Sequence, residues 1–132
     1  MSWVYVEREQ FVRMCEKGDV SPRVREAIQS WAPSVSNKYE TSRSKLVYRS
    51  PNNRHEAWAA GVPNPDSNRG KSGGYRVVYF LDITGRTINL DFIEERKELG
   101  FRNEGNRKKD KYNGYIRELK EYLKKLDSQQ IY

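Results

Sequence analysis

A glycine-rich loop followed by an apolar run carries the side chains most suited to chemistry. Arg69 and Lys71 lie in the polar loop, and Arg76 stands where the loop becomes the β-branched and aromatic run Tyr75 to Phe80. Guanidinium groups hold phosphate through paired hydrogen bonds, and an arginine at a strand start among core residues needs a specific partner. The pattern predicts a phosphate-handling surface carried by the loop and the strand.

Two further cations, Arg96 and Lys97, follow the next alternating apolar run. Cleavage of RNA by its own 2′-hydroxyl requires a base, an acid and stabilisation of the charged phosphorane. Repulsion among crowded cations lowers the pKa of a lysine, so Lys71 or Lys97 could carry a proton. Arginine stays protonated near neutral pH, so Arg76 and the other arginines are better interpreted as residues that bind the phosphate through paired hydrogen bonds. For the loop cations Arg69 and Lys71, solubilising surface charge is the competing interpretation.

Other chemical patterns are weaker. His55, the single histidine, would be the obvious acid or base near neutral pH, but a lone histidine in a turn is more often structural or merely exposed. Gly70-Lys71-Ser72 resembles the end of a Walker A loop, yet Pro65 replaces the required glycine and a strand follows instead of a helix. Four carboxylates could be imagined as a metal cluster: Asp82, Asp91, Glu94 and Glu95. Their alternating positions on a hairpin that ends in solvated charge are a better explanation, and they lack the spacing of zinc ligands.

The composition is that of one folded, basic domain spanning residues 1–132. The net charge is +7 and 33% of the residues are charged, while the 12% aromatic content argues against disorder. Such a charge favours a polyanionic partner: nucleic acid, an acidic protein segment or a membrane surface. The chain has one cysteine, Cys15, no apolar run of about 18 residues and no signal-peptide pattern. We therefore expect a cytoplasmic protein without a disulfide, metal site, membrane segment or small-molecule cofactor.

Periodicity predicts an α+β fold. Apolar spacing, caps and turns predict a first strand at Trp3–Val6, helices at Glu9–Lys17 and from Pro22 to Ala32, strands at Lys45–Tyr48, Ala57–Val62, Tyr75–Ile83 and Thr87–Ile93, and a last helix at Tyr112–Leu126. The two early helices suggest an N-terminal helical hairpin packed on a small antiparallel sheet. A C-terminal helix closes the fold, and one sheet face is expected to stay open to a ligand. The charged stretch Glu94–Lys111 is predicted to be a loop.

The segment Gly73-Gly74-Tyr75-Arg76-Val77-Val78-Tyr79 and its context resemble the RelE/ParE/HigB superfamily of bacterial type II toxin–antitoxin toxins. In that family a Gly-aromatic-Arg-hydrophobic-hydrophobic-Tyr segment forms a central strand after a basic loop, and the next strand ends in a basic residue. The resemblance covers roughly Pro22 to Lys97. It implies a RelE-like fold and a cognate antitoxin partner. It also places Arg76 against the scissile phosphate, with Arg96 as the basic residue that ends the following strand.

The resemblance implies a toxin that inhibits translation as a metal-independent endoribonuclease, an mRNA interferase acting on mRNA at the ribosome. The catalytic candidates are Arg69, Lys71, Arg76, Arg96 and Lys97, and the RNA-binding candidates are His55, Tyr75, Arg107, Lys108, Lys109 and Tyr112. The family often has a tyrosine shortly after the last basic residue; Glu98 to Arg102 contains none, and Tyr112 is the nearest. The alternatives are a non-catalytic ParE-like inhibitor of DNA gyrase and a basic nucleic-acid-binding module without toxicity.

Overall fold

A computed structural model describes residues 3–18, 20–37, 44–62, 74–95 and 105–129. Within these residues the elements follow in the order β1 (Val4–Glu7), α1 (Glu9–Lys17), α2 (Pro22–Asn37), β2 (Ser44–Arg49), β3 (His55–Val62), β4 (Tyr75–Asp82), β5 (Thr87–Glu95) and α3 (Gly105–Gln129). The predicted α+β class is confirmed, and each predicted strand and helix has a counterpart.

Local sequence signals account for the first two helices. Glu9 lies in the first turn of α1 and Lys17 in its last, where each charge complements the helix dipole, and the helix ends at Gly18 as predicted. The Ser21 hydroxyl accepts a hydrogen bond from the Val24 N–H at 3.4 Å at the start of α2. The predicted end of α2 at Pro33 is wrong, because the helix continues to Asn37. A proline removes one helical hydrogen bond, but its fixed φ is compatible with helical backbone.

The sheet is mixed, which corrects the predicted small antiparallel sheet. Its five strands lie in the order β1-β5-β4-β3-β2. β1 pairs in parallel with β5, and the other three pairings are antiparallel. The helices are also not N-terminal, since β1 precedes them. Only tertiary contact could decide this, because a four-residue strand carries no signal for which edge it joins.

Helices cover both faces of the sheet. On one face, α1 and α2 contribute Phe11, Cys15, Val24 and Ile28 to a core with Trp58, Val77, Tyr79 and Leu90. On the other, Leu119 and Leu123 of α3 pack against Ala57, Ala59, Val78, Phe80 and Phe92. The expectation of one open face is therefore wrong, because the apolar stripe of α3 must be buried and the second sheet face supplies the matching surface. Among the described residues, no helix is both long and apolar enough to cross a membrane.

Candidate nucleic-acid interface

Arg76 lies near the start of β4, the central strand of the five. Alternation along β4 places Tyr75 and Val77 on the face of α1 and α2, so Arg76 lies with Val78 on the face of α3. Its guanidinium carbon lies 5.4 Å from the centre of the Tyr112 ring, within the range of a cation–π contact. The contact uses the flat face of the guanidinium, whereas its N–H donors point outward in the plane of the group.

The position of Tyr112 follows from the packing of α3 on β5. Tyr112 meets the Phe92 ring edge-on at a centroid distance of 5.7 Å, and Tyr115 stacks on the same ring at 4.5 Å. Residues three apart share one helix face, so both tyrosines reach Phe92 together. Two of the predicted site residues, Arg76 and Tyr112, are thus brought into contact from distant parts of the chain. The helix that carries Tyr112 also starts earlier than predicted, at Gly105.

The register partners of the first two residues of β4 are acidic residues of β5. In the sheet register Arg76 is opposite Glu94, and Tyr75 is opposite Glu95. The side chain of Lys111, from α3, lies 3.7 Å from the Glu94 carboxylate. A phosphate at Arg76 would therefore need further cations to be bound well.

The other four catalytic candidates, Arg69, Lys71, Arg96 and Lys97, lie outside the described residues. The register nevertheless shows where their segments join the sheet. Val62 at the end of β3 and Glu95 at the end of β5 both pair with Tyr75. Residues 63–73 and residues 96–104 are therefore connected to the end of the sheet that carries Arg76.

The remaining RNA-binding candidates are differently placed. Tyr75 is 4% exposed and packs in the core under α1 and α2, so its ring is not on the surface that carries Arg76. Arg107, Lys108 and Lys109 belong to α3, and the expectation that they form a loop is wrong. Helical order in this charged stretch is explained by its continuity with the apolar stripe that packs on the sheet.

His55 is buried within a polar cluster and has 1% exposure. Its Nδ1 lies 2.6 Å from one carboxylate oxygen of Asp127, and the Tyr48 hydroxyl donates to the other at 2.9 Å. On the far side of the ring, Nε2 is 4.0 Å from Asp82. This cluster joins β2 and β3 to the end of α3. The structural interpretation of His55 agrees with this placement, and a ring with 1% exposure is not accessible to an RNA strand in this conformation.

The sequence interpretation missed a second polar cluster, centred on Asp91. The register of β4 and β5 shifts between Val78 and Tyr79, which leaves Asp91 at a bulge of β5 with 2% exposure. Arg8 lies 2.6 Å from one of its carboxylate oxygens, and the Tyr115 hydroxyl donates to the other at 2.5 Å. The alternation of apolar and polar residues along β5 predicts a solvated position for Asp91, and no local signal predicts a bulge there.

Aromatic contacts and a shifted pKa accompany this cluster. The Arg8 guanidinium contacts both the Phe80 and the Tyr122 rings, 5.2 Å and 4.8 Å from their centres. Burial, followed by the charge of Asp91, raises the pKa of Tyr115 far above its ordinary value. The raised pKa favours the protonated hydroxyl, which is the form that donates to Asp91. The cluster fixes α3, and with it Tyr112, on the sheet.

No group of three or more histidine, cysteine or acidic side chains is placed to hold a metal ion within the described ranges. Comparison with known proteins adds no relative: no family model matches the chain, and no curated protein or solved structure matches it either. The interpretation of the site therefore depends on its own geometry and on the sequence pattern.

Proposed function

We propose that this protein is a RelE/HigB-like toxin, an endoribonuclease that cleaves mRNA at the ribosome and is held inactive by an antitoxin. One observation carries the proposal. Arg76 lies on the central strand with its guanidinium fixed over Tyr112, at the sheet end to which both basic segments are connected. This is the position that the family resemblance gives to the arginine at the scissile phosphate.

In the proposed reaction Arg76 holds the phosphate and stabilises the charge that develops on the phosphorane. Glu94 is the register partner of Arg76, so in the proposed reaction the basic segments supply additional cations. Lys71 and Lys97 are the proposed proton carriers, and Arg69 and Arg96 the further clamps. The net charge of +7 favours approach to the RNA backbone, so binding should weaken steeply with salt.

A second candidate is a non-catalytic inhibitor of DNA gyrase, of the ParE type. The observation that favours it is the coverage of both sheet faces by helices, because within the described part of the chain α3 covers the face that RNA would otherwise contact. In that case the helices would form the inhibitory surface, and Arg76 would not be required for chemistry.

The test compares induction of the wild-type chain and of an Arg76→Ala variant in bacteria, with translation and DNA supercoiling measured in parallel. Arg117→Ala, an exposed arginine on α3, is the matched control for loss of one positive charge. We expect wild type and Arg117→Ala to stop translation and to leave mRNA cut within codons. Arg76→Ala should abolish both effects while circular dichroism and unfolding show an intact fold.

Two results would contradict the ribonuclease, and a third would contradict the role of Arg76 alone. DNA breaks with intact mRNA would support the gyrase inhibitor instead. RNA cleavage by Arg76→Ala at the wild-type rate would remove Arg76 from the site. An absence of toxicity, together with salt-dependent binding to RNA, would leave a basic nucleic-acid-binding module.

A further inference from the structure

A cleft of about 200 Å³ opens between the start of α1, the middle of β5 and the central turns of α3. Its lining residues include Gln10, Asp91, Glu118 and Tyr122. Glu118 and Tyr122 are exposed, so the cleft is reached directly from solvent. Small-ligand sites have volumes of roughly 300–1,000 Å³. A smaller cleft at the surface suits one side chain of another protein better than a complete small molecule.

The wall of this cleft already holds one guanidinium group, that of Arg8. One of its terminal nitrogens lies 2.6 Å from an Asp91 carboxylate oxygen, and the other donates to the Tyr122 hydroxyl at 3.3 Å. The guanidinium carbon is also 4.8 Å from the centre of the Tyr122 ring. Carboxylates and aromatic rings are the groups that recognise a guanidinium in proteins. The lining of the cleft therefore has the chemistry that binds arginine.

Two acceptors in the cleft remain after Arg8 is bound. Glu118 forms neither an ion pair nor a hydrogen bond with any described residue. Gln10 donates from its amide nitrogen to the Asp91 carbonyl at 2.9 Å, which leaves its amide oxygen as an acceptor. Since Arg8 and Asp91 form an ion pair, the charge that remains in the cleft is the negative charge of Glu118. These groups match a second cation with several N–H donors.

The local charge distinguishes this cleft from the basic chain around it. The sequence has 25 lysine and arginine residues against 18 acidic residues, whereas two of the three charged residues that line the cleft are carboxylates. Such a lining repels a phosphate group. Arginine fits it better than lysine, because the planar guanidinium carries five donors and stacks on aromatic rings, whereas an ammonium group is a compact, strongly hydrated charge.

We propose that this cleft binds an arginine side chain on the surface of a partner protein. The incoming guanidinium pairs with the Glu118 carboxylate, donates to the Gln10 amide oxygen and lies against the Tyr122 ring. The proposal goes beyond the proposed function, because it requires neither RNA nor cleavage.

The test titrates the full chain by NMR with N-acetyl-arginine N-methylamide, and separately with the same derivatives of citrulline and lysine and with inorganic phosphate. Citrulline keeps the shape of arginine but is neutral. We expect the arginine derivative to bind roughly 3- to 30-fold more tightly than the citrulline derivative, as one partly exposed ion pair and one cation–π contact allow. Its largest shifts should fall at Gln10, Glu118 and Tyr122, and the lysine derivative should bind more weakly.

Two exposed glutamates on α3 provide matched variants. Glu118→Gln should weaken binding of the arginine derivative roughly 1.5- to 5-fold, as loss of one exposed ion pair allows, and Glu118→Lys should remove it. Glu121→Gln and Glu121→Lys make the same charge changes at a position that does not line the cleft, so the affinity should stay close to that of wild type. Both positions are exposed, so these variants should keep the fold, which circular dichroism checks.

Equal affinities for the arginine and citrulline derivatives would overturn the proposal, and so would a lysine derivative that binds as tightly as the arginine derivative. Equal effects of the Glu118 and Glu121 variants would also overturn it, because the cleft would then not be the site. Shifts at the cleft with inorganic phosphate in place of the arginine derivative would show an anion site instead. None of these outcomes depends on cleavage of RNA, so this proposal and the ribonuclease can fail separately.

Discussion

The replacement Asp91→Asn tests the buried cluster that holds α3 on the sheet. The Asp91 carboxylate is 2% exposed; one oxygen lies 2.6 Å from Arg8 and the other accepts the Tyr115 hydroxyl at 2.5 Å. Asparagine keeps the shape but offers one acceptor oxygen, so one of the two contacts loses its acceptor and the other loses its charge.

The magnitude follows from those two contacts. A hydrogen bond to a charged group contributes roughly 1.5–3 kcal/mol net, against about 1 kcal/mol for a neutral one. Arg8 has 31% side-chain exposure, so solvent screens its part and the low end of the range applies there. We expect Asp91→Asn to lower the free energy of unfolding by roughly 2–4 kcal/mol, a large share of the roughly 5–15 kcal/mol typical of a domain.

The assay is urea unfolding followed by circular dichroism, for Asp91→Asn, Tyr115→Phe and the double variant. Since the two side chains form one hydrogen bond, the double variant should lose at least 0.5 kcal/mol less than the sum of the single losses. Glu121→Gln, which is 68% exposed on the same helix, is the control and should change the stability by roughly 0.5 kcal/mol or less.

A loss below roughly 0.5 kcal/mol for Asp91→Asn would refute the reasoning, because a buried, doubly bonded carboxylate cannot be neutralised at so little cost. Additive losses in the double variant would show that Tyr115 and Asp91 act independently. Either result would mean that the Asp91 cluster does not hold α3 on the sheet as one unit.

Three other outcomes test the fold and its pH dependence. His55→Phe should lower the free energy of unfolding by roughly 2–4 kcal/mol in urea titrations, since Asp127 loses a buried partner, and hydrogen exchange should rise near the end of α3; unchanged exchange there would contradict the link. Phe11→Ala should cost roughly 3–5 kcal/mol in the same assay, because Phe11 is fully buried, and a loss below 1 kcal/mol would mean that the core refills the space. Burial raises the pKa of Cys15 from 9.0 to about 11. As the pH rises, the unfolded chain therefore loses the thiol proton before the folded chain does. The protonated thiol contributes roughly 1–3 kcal/mol to the free energy of unfolding below pH 9, and this contribution is lost as the pH rises through 11. Unfolding measured at intervals from pH 8 to pH 11 should show a smaller decline for Cys15→Ala than for wild type, and parallel declines would refute this assignment.

Local signals predicted most helices and strands, because the formation of these elements depends largely on residues that are close in the sequence. The hairpin of β4 and β5 follows from alternation around a Gly-containing turn, and α1 from apolar spacing closed by Gly18. Two boundaries were wrong by more than three residues, at Pro33 in α2 and at the start of α3, where continuation of the helix outweighed a turn signal and a charged composition.

Long-range packing decided what the site residues contact. His55 and Asp127 are 72 positions apart, and Arg8 and Asp91 are 83 apart, so no spacing along the chain predicts either pair.

The sequence by itself determined the strands, most of the helices, the basic charge and the placement of Arg76 at the start of a strand. The tertiary structure alone decided that α3 covers the second sheet face, that β1 joins β5 in parallel, and that Tyr112 lies against Arg76. The physical reason is that periodicity records which side of an element is apolar, whereas the choice of the surface that buries that side depends on the free energy of the whole assembled core.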